Sequence, residues 1–324
     1  MPLCVGHIGY AVHAKIHPSM TNISQQSAPL KGIAFMVASA LFMGINNAIL
    51  KLLTEGLPAG EIMFLRSFMI LPLILLYAYF RGGWSSLRVY RWRGHSARAV
   101  CLGFSAYFFI LSVQFLPLAT TVALTFAAPL LITAMAGSFL KEEVGWRRWS
   151  AVGVGFLGVV IITRPGSDVF QLTALLPLAC ALASAGRDVI TRSMTAGESS
   201  IAIMLTANVG MAVFGLFSIP FGWEEPDSRS IWLIAACVPL VAVGHYTMIE
   251  ALRYAEAAVA SPFRYSAIVW AGLLGYFIWG DVPDSWSIVG TCIVIASGVY
   301  ILHREFVHRR EVAEQESGQQ SDSD

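Results

Sequence analysis

Tyr107-Phe108-Phe109-Ile110 and Tyr246-Thr247-Met248-Ile249 open two stretches of chain that run in parallel at a constant separation. They close at Leu140-Lys141-Glu142 and Trp279-Gly280-Asp281. Downstream, at nearly the same separation, Gly158-Val159-Val160-Ile161 up to Arg164 is answered by Gly298-Val299-Tyr300-Ile301 up to Arg304. Upstream, Asn46-Asn47 and Lys51 fall opposite Arg187-Asp188 and Arg192 in the same register, allowing for a small slip. Repetition in a strongly apolar chain is the signature of secondary transporters, whose related halves move about a central site.

Composition sets the class. Hydrophobic residues make up 56% of the 324, charged residues only 13%, and the mean hydropathy is +0.66. Soluble domains carry about 25% charged residues. The formal net charge of +1 gives no footprint for nucleic acid. Five scattered cysteines (Cys4, Cys101, Cys180, Cys237, Cys292) without a C-x-x-C pair argue against a disulfide framework and a zinc site. No metal ligand set and no cofactor motif is expected.

Crossing a bilayer takes about 20 residues of helix. Ten apolar runs approach or meet that length, roughly 32–53, 60–80, 97–116, 118–140, 149–163, 171–193, 199–219, 231–252, 257–279 and 286–303. Pro58, Pro117, Pro165, Pro226 and Pro283 fall at or between their ends, where helices must stop. The expected fold is therefore an all-α membrane protein of ten transmembrane helices, arranged as two inverted five-helix repeats. The boundaries are a cytoplasmic extension over 1–31, a first repeat over 32–165, a second over 170–304 and a disordered cytoplasmic tail over 305–324. Residues 1–19 lack the architecture of a cleavable signal, and Met20 would serve equally as a start.

Orientation follows from Lys and Arg. With the N-terminus in the cytoplasm, fifteen basic residues fall on inner segments, and only Arg164 and Arg229 on outer ones. Equivalent connections carry opposite signs: Arg81–Arg93 is basic, whereas Trp223-Glu224-Glu225-Pro226-Asp227 is acidic. Five spans per half is an odd number, so the second copy enters inverted. Both termini are expected in the cytoplasm of a bacterial-type inner membrane.

The chain resembles the EamA-type members of the drug/metabolite transporter superfamily over about residues 32–304. The resemblance rests on Phe64-Leu65-Arg66, Pro129, Leu140-Lys141-Glu142-Glu143, Gly158-Val159 through Arg164-Pro165-Gly166, Pro262, Gly290 and Gly298-Val299, in order and in duplicate. It implies a ten-helix inner-membrane carrier of metabolites. Ser261-Pro262-Phe263-Arg264-Tyr265, followed by Ile268-Val269-Trp270, is similar to the branch that holds riboflavin and S-adenosylmethionine uptake carriers.

Charges inside apolar spans cost at least about 2.5–3.5 kcal/mol each and so invite explanation. Arg66 lies about two turns into its helix, roughly 10 Å deep at 1.5 Å per residue. It either meets an anionic or carbonyl-rich substrate or pairs with a helix end or Glu61. Arg264 lies as deep from the other side, on one face with Ser261, Tyr265 and Ile268, and is the leading candidate for substrate contact. Glu250 is either a structural partner of Arg253 or Arg264 or a proton-coupling carboxylate. Asp188 carries the same two readings, its ordinary partner being Arg192, while Arg187 beside it points elsewhere.

Tyr107, Tyr246, Tyr265 and Trp270 could stack on a flat heteroaromatic such as a flavin or purine, each pair contributing about 0.5–1.5 kcal/mol. Any one of them could equally be core packing. Asn47 joins the candidates through its place opposite Asp188. Trp84, Trp92, Trp146, Trp223 and Trp286 sit at span ends as interfacial anchors. Gly153, Gly155, Gly158, Gly290 and Gly298 are expected to let helices approach closely.

The chain has no paired-aspartate, H-E-x-x-H or serine-elbow constellation and no P-loop, which argues against an enzyme or an ATP-driven pump. The function expected is alternating-access transport of a small metabolite, with riboflavin uptake as the specific cargo. S-adenosylmethionine uptake and efflux of amino acids or other metabolites are the alternatives. The first, third, fourth, sixth, eighth and ninth spans should line the site. The partners are the cargo and the bilayer, and the carrier is either a monomer or a homodimer.

Overall fold

The computed structural model describes residues 29–81, 87–139, 146–164, 172–194, 200–255 and 257–321. Leu140-Lys141-Glu142-Glu143, Pro165-Gly166, Trp84, Cys4 and the Arg192 side chain lie outside the described residues. Every regular element among the described residues is helical. This is the outcome lipid demands, because an unpaired backbone group in hydrocarbon costs several kcal/mol.

The helices are α1 (Pro29–Leu53), α2 (Ala59–Arg81), α3 (Trp92–Phe115), α4 (Leu118–Thr125), α5 (Ala128–Phe139) and α6 (Trp146–Thr163). They continue as α7 (Leu175–Met194), α8 (Ser200–Leu216), α9 (Ser228–Tyr254), α10 (Ala257–Ala260), α11 (Ser266–Trp279) and α12 (Ser285–Ser321). Eight helices are long and apolar enough to cross a membrane, and Trp149–Thr163 is a shorter apolar one. The expected ninth span is divided into α10, a 3₁₀ turn over Ser261–Tyr265 and α11. Helix length alone therefore yields eight spans where the apolar pattern predicts ten.

Phe68, Phe80, Phe217, Phe221, Trp232 and Phe277 are between 61% and 88% exposed. A water-facing surface would not leave so large an aromatic belt uncovered, whereas lipid accepts it. Trp92, Trp146 and Trp286 stand at helix starts and are 61% to 75% exposed, as interfacial anchors should be. Trp223 differs: its ring packs on Phe64 and its Nε1 donates to Ser218 Oγ at 2.9 Å.

Local chemistry explains the boundaries. Leu116 is extended (φ −120°, ψ 155°) ahead of Pro117, which separates α3 from α4. Gly280 takes a left-handed φ of 72° and ends α11, its N–H donating to Tyr276 O at 2.9 Å. The α4–α5 interruption at Phe126–Ala127 precedes Pro129, whose missing N–H leaves no bond to the carbonyl four residues back. Pro262 sits likewise at the start of the 3₁₀ turn. The polar tail, expected to be disordered, continues as helix to Ser321, a stretch rich in Glu, Gln and Arg that extends an existing helix readily.

Helix pairing has its own symmetry. The principal contacts run α1 with α9, α3 with α7, α2 with α8 and α6 with α12. In repeat register α1, α2, α3 and α6 answer to α7, α8, α9 and α12. Exchanging the halves turns the first contact into the second and returns the other two to themselves. At α6–α12, a Cβ on Gly158 would stand 2.8 Å from Gly290 O, and one on Gly290 2.6 Å from Gly158 O. Only glycine permits this approach. Gly153 has open space around it and plays no such part.

The end of the bundle remote from residue 29 is tied across the two repeats. Lys51 Nζ lies 3.1 Å from Asp281 Oδ2 and 4.6 Å from the centre of the Trp279 ring, and donates to Leu116 O. Arg164 pairs with Asp284 beside it. This is the distal end; the end with residues 29 and 304 is the proximal one.

Candidate functional site

Two cavities meet near the middle of the bundle. The distal one, about 340 Å³, lies among α1, α2, α3 and α7 and is lined by Asn46, Asn47, Arg66, Ser105, Ser184 and Arg187, with apolar neighbours. The proximal one, about 660 Å³, lies among α4, α5, α7, the 3₁₀ turn and α12. Thr125, Ser184 and Arg187 line both. Both volumes are within the range of about 300–1,000 Å³ usual for small-molecule sites.

The proximal wall is built from broken helices. Phe126 at the α4–α5 interruption and Tyr265 at the end of the 3₁₀ turn share the separation of Tyr107 and Tyr246, so they are equivalent positions in the repeat. Their rings meet at 4.6 Å between centroids, tilted by 33°. Equivalent residues can touch only close to the axis that relates the halves. Tyr265 is buried at 5% exposure with its hydroxyl unpartnered, against Gly298. Paired interruptions of this kind mark the sites of transporters built from repeats. The signals in the sequence were Pro129 and Pro262; Phe126 was missed because nothing in its own neighbourhood distinguishes it.

Charge gathers at the junction. Arg187 donates to Asp188 Oδ1 from Nε at 2.9 Å and approaches it from Nη2 at 2.8 Å. This corrects the expectation that adjacent helical positions hold the two apart: the long guanidinium stem folds back onto its neighbour. Arg98 donates to Thr191 Oγ1 at 2.9 Å and so braces α3 against α7 just below. Ser105 and Ser184 hydroxyls meet at 2.6 Å across the same helices. Arg264 is exposed on the proximal wall and makes no ion pair among the described residues. Arg66 is part-buried, with Nε sealed from solvent and unpartnered. Glu61 makes no ion pair with it among the described residues; its Oε2 accepts from Glu224 N at 3.0 Å.

The structure thus brings Arg264, Tyr265 and Asp188 to the proximal cavity, and Asn47 and Arg66 to the distal one. It does not bring in the other candidates. Tyr107 packs between Phe108 and Phe214. Tyr246 is 61% exposed on α9. Trp270 sits beside Gly44 of α1, its indole N–H buried and unpartnered. Glu250 has an 8% exposed side chain that meets Arg253 at 2.9 Å, the structural alternative.

One packing fact accounts for Tyr246 and Glu250. Ser39 Oγ donates to Gly244 O at 2.7 Å and Gly244 receives Met43, so α9 lies behind α1 rather than on the cavity wall. The expected eighth span is therefore absent from the lining, while α2 and α12 contribute Arg66, Ile301 and Leu302. Among the described residues, no group of three His, Cys, Asp or Glu is placed to hold a metal ion.

Comparison with known proteins gives this arrangement a context. Residues 30–164 and 171–303 each match the EamA-like transporter family. An S-adenosylmethionine uptake transporter of Rickettsia felis is 26% identical over 276 residues, covering 85% of this chain and 94% of the relative. A riboflavin transporter of Vibrio cholerae is 26% identical over 283 residues, covering 86% and 94%. A solved crystal structure superposes with a TM-score of 0.57 at 19% identity, covering 86% of this chain and 96% of its own, a likeness of fold.

Proposed function

The chain belongs to the EamA-like transporter family and is a multi-pass membrane transporter, and we propose that it carries a small flat metabolite by alternating access between two inverted five-helix halves, with riboflavin uptake as its activity. The observation that carries this reading is the Phe126–Tyr265 ring contact on the wall of the proximal cavity, where Thr125 beside Phe126 also lines the distal one. Aromatic faces there suit a planar ring, and a site on the axis between the halves is reached equally from either side.

Electrostatics favours riboflavin over the other named cargo. Among the described residues, Arg66, Arg187 and Arg264 face the cavities against the single carboxylate of Asp188. Such walls repel a cation. Riboflavin is neutral, whereas S-adenosylmethionine has a sulfonium and an ammonium against one carboxylate. S-adenosylmethionine uptake is the second reading, because the Rickettsia relative bears that name.

On this reading ten segments cross the inner membrane with both termini in the cytoplasm, and the distal end faces outward. The symmetric helix pairing supports the inverted repeats. The Lys51–Asp281 pair then lies at the outer mouth, where it is placed to restrict access from that side. Reporter fusions near Arg88 and Glu225 should report opposite sides of the membrane; the same side would overturn the inversion. Expression in a riboflavin auxotroph without its own importer should restore growth on low riboflavin. Failure by a well-inserted protein removes riboflavin, and proteoliposome uptake of S-adenosylmethionine and amino acids then decides the cargo. Arg264→Ala should abolish uptake with normal insertion, and unchanged uptake would return Arg264 to packing.

A further inference from the structure

The distal cavity leaves two polar side chains unanswered. Arg66 of α2 faces it with a buried Nε–H that has no acceptor. Asn46 of α1 faces it while only 3% exposed; its Nδ2 donates to Asn47 Oδ1 at 3.3 Å, and its own Oδ1 has no donor. With the amides in this orientation the open atom of Asn46 is an acceptor, and Asn47 lines the cavity beside it. One wall offers a hydrogen-bond donor and the neighbouring wall an acceptor, both away from bulk water.

Buried polar groups are costly when left without partners, and their partners are correspondingly selective. Water can answer both groups while the cavity is empty, but a cargo that displaces water must replace what water supplied. An apolar group answers neither side chain, and a bare anion answers only Arg66. A hydroxyl can answer both, but a guanidinium binds the stronger acceptor of a carbonyl or carboxylate better, and such an oxygen set beside an N–H answers both walls. Two chemistries provide this edge: the imide of a heterocyclic ring, with a carbonyl next to N–H, and an α-amino-acid head, with a carboxylate next to ammonium.

We propose that Arg66 and Asn46 form a specificity subsite that reads an oxygen–N–H edge of the cargo, with the rest of the molecule extending toward Phe126 and Tyr265. The assignment rests on the carrier reading above but not on which cargo is carried. Among the described residues, the other charged group facing this cavity, Arg187, is already held by Asp188, which leaves Arg66 as the open cation.

Binding to the purified full-length chain tests it with two matched pairs of ligands. Riboflavin is compared with its N3-methyl derivative, which lacks only the imide N–H. S-adenosylmethionine is compared with its decarboxylated form, which lacks the carboxylate. One pair should be discriminated by about tenfold or more, as expected where a site is built to hydrogen-bond its ligand. The flavin arm would identify the imide edge, and the adenosyl arm the amino-acid head. In the flavin pair Asn46→Leu, and in the adenosyl pair Arg66→Met, should bring the parent compound to the level of its analogue, and Arg66→Lys should recover part of the adenosyl difference. Variants that discriminate as the wild type does, or a wild type that discriminates in neither pair, would overturn the subsite. If neither parent binds, uracil and L-alanine supply the two edges alone. Hydrogen-exchange protection of α1 and α2 by either, absent in Arg66→Met, would keep the subsite and discard the cargo; no protection would discard both.

Discussion

Helices α1 and α7 occupy equivalent places in the two halves, yet they furnish the cavities with opposite chemistry. At the same register α1 presents the neutral amides Asn46 and Asn47, while α7 presents Arg187 and Asp188. The α1 charge sits one turn further on, where Lys51 binds Asp281 of the other half. The α7 charges bind each other. Duplication placed both helices against the cavities, and divergence left one tied to the distal end and the other holding paired charge at the junction.

The sharpest test compares the two helices directly. Asp188→Ala strands Arg187 at the junction. Loss of one partner of a buried pair costs about 3–5 kcal/mol, but the Asp188 side chain is 42% exposed. Discounted for that exposure, roughly 1.4–2.7 kcal/mol remains, which, expressed in the transport step, is a 10- to 100-fold fall in initial uptake rate in proteoliposomes. Asn47→Ala, its equivalent on α1, removes one neutral hydrogen bond of about 1 kcal/mol and should lower the rate about fivefold. Equal losses would erase the distinction between the helices.

The distal tie comes next. Lys51→Met or Asp281→Asn should raise labelling of a cysteine placed at Asn47, by an impermeant thiol reagent from the outer face, about fivefold, in keeping with an ion pair of about 1 kcal/mol. The reciprocal exchange Lys51→Asp with Asp281→Lys should restore protection. Labelling that ignores all three changes would mean that this pair does not govern access.

Gly158 and Gly298 are a second pair of equivalents in the two repeats, with different neighbours. A methyl on Gly158 meets backbone across the α6–α12 contact and should destabilise the protein by about 1–3 kcal/mol, read as a lower melting temperature. A methyl on Gly298 meets the Tyr265 hydroxyl instead, at the end of a side chain. Gly298→Ala should displace Tyr265 from Phe126 and lower uptake more than it lowers stability.

The smallest effect is expected where α3 and α9 begin. Asp227 caps α9 by accepting from Ser230 N at 2.8 Å, whereas Arg91 at the start of α3 makes no side-chain cap. Its bonds from Ser230 hold the Asp227 carboxyl below the usual carboxylate range. The cap therefore contributes fully above the ordinary carboxylate pKa, and its contribution disappears as pH falls through the depressed value. Asp227→Ala should melt slightly below wild type at pH 7, with the gap closing in strong acid. The opposite signs of these two helix starts are what the inverted arrangement proposed above calls for.

Much of this was legible before any coordinates. Hydropathy and the repeat are properties of the chain read in order, so the helical class and the pairing of positions follow from them. Arg66, Asn47, Arg264 and Tyr265 could be named because polar groups inside apolar helices need a reason to be there. Tyr246 and Glu250 met the same criterion, but they stand on a helix that packs behind α1. Periodicity shows that a helix has faces; it does not say which neighbour each face meets.

The amino-acid sequence by itself determined that this chain is a duplicated bundle of apolar helices in a membrane, since length, hydropathy and repetition need no partner to be expressed. Only the tertiary structure decided that Phe126 meets Tyr265, that Arg187 turns back onto Asp188, and that Arg66 and Asn46 share a cavity. Those facts depend on where helices break and how closely they approach. Backbone interruptions and glycine contacts fix that in three dimensions, between residues far apart in the chain.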